Sequence, residues 1–130
     1  MDIYKKFSFD SAHYLPKLPE DHKCKRMHGH TFNVEIHITG SINPEIGWIM
    51  DFAEIKTICD PVIKKLDHRV LNDIKGLDNP TSENLAKWIW EKVNPQLSGL
   101  KKIIVSETCS TGCVYTVSYT HLTLPTNREV

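Results

Sequence analysis

The chain has 130 residues, 16 basic and 16 acidic side chains in formal balance, and 40% hydrophobic residues. That length suits one domain. No apolar run approaches the roughly 20 residues of a membrane helix, and zero net charge argues against a dedicated nucleic-acid surface. The first residues, Met1-Asp2-Ile3-Tyr4-Lys5-Lys6, hold no apolar stretch leading to a cleavage site, so a cytoplasmic, reducing setting is expected for the four cysteines. Cys109 and Cys113 have a zinc-like spacing without a second pair, and read as ordinary thiols beside a glycine turn. The unusual count is histidine, at seven.

From residue 3 to 13 the side chains alternate, with Ile3, Phe7, Phe9, Ser11 and His13 on one face, as in a half-buried strand. Residues 15–27 carry Pro16, Pro19 and a run of charges, and read as a loop. The next strand is cleaner. His30, Phe32, Val34, Ile36 and Ile38 share a face, and the same parity extends back to His28. His37 falls on the polar face and His22 in the loop, so both are expected to be solvated. Residues 41–48 are turn-rich. Phe52, Ile55, Cys59, Val62, Ile63 and Leu66 then recur at helical spacing and predict an amphipathic helix over 52–66, which Pro61 kinks or starts later.

Residues 67–79 form a polar connector. Pro80-Thr81-Ser82-Glu83 has the composition of a helix start, Leu85, Trp88, Ile89 and Val93 give that helix its buried stripe, and Asn94-Pro95 ends it. A third strand covers 102–107, with Glu107 in phase with Ile103 and Val105, and a fourth begins near Cys113. The order strand, strand, helix, helix, strand, strand indicates an α+β domain with an antiparallel sheet.

Two imidazoles at His28 and His30 point to one side of a strand, with Gly29 leaving space between them. His13 has the parity to supply a third from the neighbouring strand. Three His with an open fourth position is the arrangement of a catalytic zinc; the alternative is a set of hydrogen-bonded core histidines. Cys24, four residues before the pair and among Lys23, Lys25 and Arg26, is a fourth ligand or a reactive base. Asp67 beside His68 suits proton transfer, or is a helix end with a cation near its dipole. Glu107, a carboxylate on an apolar strand face, needs an internal partner such as the amidine edge of a flat heterocycle, unless it simply reaches water at the strand end.

Phe7-Ser8-Phe9-Asp10-Ser11-Ala12-His13, Cys24-Lys25-Arg26-Met27-His28-Gly29-His30, Gly47-Trp48-Ile49-Met50-Asp51-Phe52, Leu66-Asp67-His68, Asn79-Pro80-Thr81-Ser82-Glu83-Asn84 and Glu107-Thr108-Cys109 together resemble the 6-pyruvoyl tetrahydropterin synthase family. The Cys-x3-His-x-His spacing is similar to its carboxy-forming branch, which serves synthesis of the precursor of queuosine, a modified tRNA nucleoside. The resemblance implies a tunnelling fold, a four-stranded antiparallel sheet with two helices, closing into a barrel as trimers and stacking into a homohexamer with the pocket between subunits. It implies that His13, His28 and His30 bind Zn2+, that Cys24 is the catalytic base, and that Asp67 with His68 is its proton-transfer partner. Glu107 would anchor the pterin ring, with Thr81 and Ser82 near it; Lys23 and Arg26 are the choices for the triphosphate.

The implied reaction is a lyase step from 7,8-dihydroneopterin triphosphate to 6-carboxytetrahydropterin, with loss of acetaldehyde and triphosphate. A pyruvoyl-type lyase on the same triphosphate, or a zinc- or pterin-binding protein without turnover, are the alternatives. The resemblance covers one synthase domain over residues 1–115. Residues 116–130 have no family counterpart and look like a translated sequencing adapter, against a genuine β-branched strand extension.

Overall fold

The alternation of residues 3–13 and 28–38 is realised as two long paired strands. In the computed structural model, which describes residues 1–117, β1 (Asp2–His13) runs antiparallel to β2 (His28–Thr39), from Asp2 opposite Thr39 to His13 opposite His28. α1 (Phe52–Lys64) and α2 (Ser82–Val93) follow, and then β3 (Leu100–Ser106) and β4 (Cys113–Thr116) complete one antiparallel sheet in the order β1-β2-β3-β4. This is the expected α+β order. No helix among the described residues is long and apolar enough to cross a membrane. Thr116 lies in β4 and Val117 packs against the core, and the expectation for the tail otherwise falls on residues 118–130, outside those described.

Both helices bury one stripe against one face of the sheet. Ile55, Cys59, Val62 and Ile63 of α1 and Leu85, Ile89 and Val93 of α2 meet Phe9, Phe32, Val34 and Ile36 in a single core. Each fully buried aliphatic chain is worth about 1.5–3 kcal/mol. The Asp51 and Thr81 caps, whose side chains accept from Ala53 N–H and Asn84 N–H, contribute about 1 kcal/mol apiece. Packing therefore holds the helices, and capping sets where they start.

Three expectations are corrected. α1 ends at Lys64 rather than Leu66: Lys65 and Leu66 N–H turn back to the carbonyls of Val62 and Ile63, and Leu66 is buried one step beyond the helix. Phe52, placed in the apolar stripe, is exposed at the first position of α1. His37 is buried at 9% exposure although it lies on the polar face; the Tyr4 ring stacks on it at 5.0 Å and its Nε2 lies 2.9 Å from Glu35 Oε1. Pro61 sits inside α1 without ending it.

The β2–β3 register shifts between His37 and Ile38, where Thr39 N–H donates to Gly99 O at 2.9 Å. Gly99 has φ +82°, and a Cβ there would come within 2.7 Å of Thr39 O. Gly99→Ala should therefore lower stability by about 1–3 kcal/mol. Urea unfolding checks this, and an unchanged midpoint would mean that the bulge tolerates a side chain.

Candidate metal centre and adjoining cleft

The β1–β2 register places His13 opposite His28 and Ser11 opposite His30. Side chains of equal parity share a sheet face, so the three imidazoles converge beside Phe9 and Phe32. Ring centroids are 4.6 Å apart for His13–His28, 5.3 Å for His13–His30 and 4.9 Å for His28–His30, and one nitrogen of each lies within 4.8 Å of the others.

Two tautomers follow from the hydrogen bonds. His13 Nδ1 is 2.8 Å from Pro80 O and His28 Nδ1 is 2.7 Å from Arg26 O. A carbonyl oxygen only accepts, so each Nδ1 carries the proton and each Nε2 keeps its lone pair. His13 Nε2 is buried and has no hydrogen-bond partner. Desolvation pushes the His13 pKa down, against the smaller opposing effect of the Pro80 bond, so the neutral form prevails. A neutral imidazole oriented by a backbone carbonyl, with an orphaned nitrogen aimed at two others, is what a cation-binding set requires. The three residues fit a metal ion; a set of mutually hydrogen-bonded core histidines would leave no such orphan.

Cys24 sits in a one-turn 3-10 segment, Lys23–Lys25, and is half-buried. It is not among the clustered ligand atoms. Instead it borders a cleft of about 430 Å³ shared with Thr81, Ser82, Glu107 and Thr111. It also borders a groove of about 720 Å³ shared with Lys23, Arg26, His28, His30 and Glu107. Cys24 and Glu107 thus stand on the wall common to both. Lys23 and Arg26 are exposed on the groove's rim.

Glu107 lies one residue beyond β3 but does not simply reach water. Ser82 Oγ donates to its Oε1 at 2.6 Å, and its Oε2 is 3.7 Å from His30 Nε2. Thr81 borders the cleft too, with its hydroxyl committed to capping α2.

Asp67 and His68 are joined, Nδ1 to Oδ2 at 2.9 Å, but elsewhere. The segment from Leu66 to Val70 lies along the free edge of β1: Ser11 Oγ donates to Leu66 O, and Ala12 N–H donates to Arg69 O at 2.9 Å. Asp67 and His68 gather with Asp10, whose side chain lies on the opposite face of β1 from His13. Neither borders the cavities that hold Cys24. The hydrogen bond to Asp67 and then its charge raise the His68 pKa, while Asp67 is lowered by the N–H of Asp10 and then by His68.

The sequence reading missed the carbonyls of Pro80 and Arg26, because backbone acceptors leave no side-chain pattern. It missed His22, exposed as expected, whose Nδ1 accepts from Cys24 N–H at 3.0 Å and caps the turn that presents the thiol. It also missed the contribution of Thr111 and Cys113 to the cleft, where burial and then Glu83 push the Cys113 thiol up.

Residues 2–118 match the family model described as 6-pyruvoyl tetrahydropterin synthase. The chain is 41% identical over 119 residues to a 6-carboxy-5,6,7,8-tetrahydropterin synthase of Synechocystis, covering 87% of this chain and 91% of that protein. It is 44% identical over 101 residues to a dihydroneopterin monophosphate aldolase of Pyrococcus furiosus, covering 78% and 82%. Its fold superposes on the 6-pyruvoyl tetrahydropterin synthase of Caenorhabditis elegans with a TM-score of 0.83 and 28% identity, over 91% of this chain and 96% of that one. With the ββααββ sheet and the three-imidazole cluster in place, these likenesses have one consequence: the chain belongs to the 6-pyruvoyl tetrahydropterin synthase family.

Proposed function

We propose that the protein is a zinc-dependent carbon–carbon lyase that converts 7,8-dihydroneopterin triphosphate and water to 6-carboxytetrahydropterin, acetaldehyde and triphosphate, as a step in queuosine precursor synthesis. The observation that carries this reading is the set of three convergent imidazoles beside a cleft walled by a thiol and a carboxylate. The likeness to the Synechocystis synthase over most of both chains supports the carboxy product. The work is assigned to the domain of residues 1–115.

His13, His28 and His30 would hold the ion, which supplies Lewis acidity toward the substrate's side-chain hydroxyls. Glu107 accepts two N–H bonds from the amidine edge of the pterin; each of its oxygens has two acceptor sites, so the Ser82 bond leaves room for both. Thr81 and Ser82 flank the ring, and Lys23 with Arg26 attracts the triphosphate. Cys24, as thiolate, takes a proton from the first side-chain carbon, and His68, held charged by Asp67, gives a proton back. Within one chain His68 borders neither cavity that Cys24 lines, so on this reading the two act together where two copies of the chain adjoin. That requirement favours the homohexamer, with His68 serving a neighbour's cleft.

The second reading is carbon–carbon cleavage on a monophosphate, favoured by the 44% identity to the Pyrococcus furiosus aldolase. Incubation of the zinc-loaded protein with the triphosphate, and in parallel with the monophosphate, separates these readings and the pyruvoyl alternative. Acetaldehyde and 6-carboxytetrahydropterin are expected; a pyruvoyl product, or cleavage of the monophosphate alone, sinks the main reading.

Cys24→Ala should lower turnover by about 100-fold or more while the metal content stays at wild type. Full activity in that variant would leave a binding protein. His13→Ala should lose the ion, as read by metal analysis of the purified protein.

The pH dependence has a definite sign. The folded pKa of His68 lies above the ordinary 6.5, so its charged form is complete at lower pH and is lost as pH rises through the raised value. Activity that needs this proton should fall on the alkaline side, and Asp67→Asn should move the fall to lower pH. An alkaline limb indifferent to that substitution would remove His68 from the mechanism.

A further inference from the structure

One residue of β1 holds the Asp67–His68 pair in place. Asp10 N–H donates to Asp67 Oδ1 at 3.0 Å, and Asp10 O accepts from His68 N–H at 2.6 Å. His68 has φ +56°, an unfavourable conformation for a residue with a Cβ, so the second bond sustains a backbone that would otherwise relax. Those two bonds use only the main chain of residue 10 and would form with almost any side chain there.

The carboxylate is a separate matter. Thr31 Oγ1, directly across on β2, donates to Asp10 Oδ1 at 2.5 Å and fixes it. An oxygen of Asp10, an oxygen of Asp67 and a ring nitrogen of His68 all lie within 4.8 Å of one another. Two carboxylates at that range repel unless a cation lies beside them. The groups around His68 are Asp67 in its own segment, Asp10 on β1, and Arg69 and His30, which border the same hollow. Arg69 opposes a positive ring, and a second anion offsets it.

We propose that Asp10 is a positioning residue for proton transfer by His68: its carboxylate, locked by Thr31, is the second anion that keeps the imidazole oriented and charged. This rests on the reading of His68 as a proton donor. The Coulombic effect of Asp10 on His68 acts in the same direction, behind the larger contributions of Asp67.

The test uses the full chain loaded with zinc and the variants Asp10→Asn and Thr31→Val. Asp10→Asn keeps both main-chain bonds, so fold and metal content should match wild type. Titration of the His68 ring protons by NMR should then move to lower pH, and the alkaline limb of kcat/KM should follow it. kcat should fall roughly ten-fold with KM within about two-fold, as for a misoriented proton donor. Thr31→Val should shift both in the same direction by less, and Asp10→Glu should restore part of the loss. If Asp10→Asn does not fold, the Thr31→Val shifts decide.

A ring titration and a pH limb both unmoved from wild type overturn the proposal. The ring titration needs no turnover. A wild type inactive on the pterin triphosphate would therefore sink the lyase reading, while the NMR shift still decides the role of Asp10.

Discussion

The pairing register of β1 and β2 is the constraint on which the site depends. A strand presents alternate residues to one face, so a slip by a single residue would turn every core side chain outward. The same slip would turn His13 away from His28 and His30. Phe9 and Phe32 stack with ring centroids 5.0 Å apart immediately beside the imidazoles, and the apolar strip continues through Val34, Ile36 and Ile38. Burial of that strip fixes the register, and the register fixes the cluster. The candidate metal centre is thus specified by the same alternation that specifies the core, and needs no separate device to assemble it.

This explains why so much was legible in the residues. Period two is a strong signal over twelve residues, and by itself it puts His13, His28 and His30 on one face. The helical stripes were legible for the same reason, and their errors lie at the ends: Phe52 and Leu66 satisfy the spacing but fall where α1 begins or has already turned back on itself. His37 shows a different limit. Its parity was right, but parity says which face a residue is on and nothing about which neighbour covers it there; Tyr4, across the strand, does so. Asp10 and Thr31 show a third. They are opposite one another only once the register is known, and each alone is an ordinary polar residue on an exposed face.

Asp67 and His68 are adjacent in the sequence and their side chains meet, yet they do not join Cys24 in one chain. The reason is the path of the connector after α1. Leu66 is drawn into the core, and the chain must then leave along the free edge of β1, where Ser11, Ala12 and the backbone of Asp10 are the available partners. That path points Asp67 and His68 toward the face of the sheet that the helices do not cover. The proposed machinery is thus divided between the cavities that Cys24 borders and the hollow that His68 borders, and on that proposal association between copies would be a condition of turnover.

The start of α2 ties the remaining pieces together. Pro80 O takes the Nδ1 proton of His13 and so directs its lone pair toward the other two imidazoles, while Ser82, two residues on, holds Glu107 through its hydroxyl. Between them Thr81 caps the helix. The position of this turn is set by α2's buried face, since Leu85 and Ile89 are fully enclosed in the core. A shift of α2 would therefore move the acceptor of a proposed metal ligand and the support of the proposed pterin anchor together. On the proposed reading, three consecutive residues with no direct part in proton transfer would set the distance between ion and ring, and with it which carbon of the bound side chain comes within reach of the thiol.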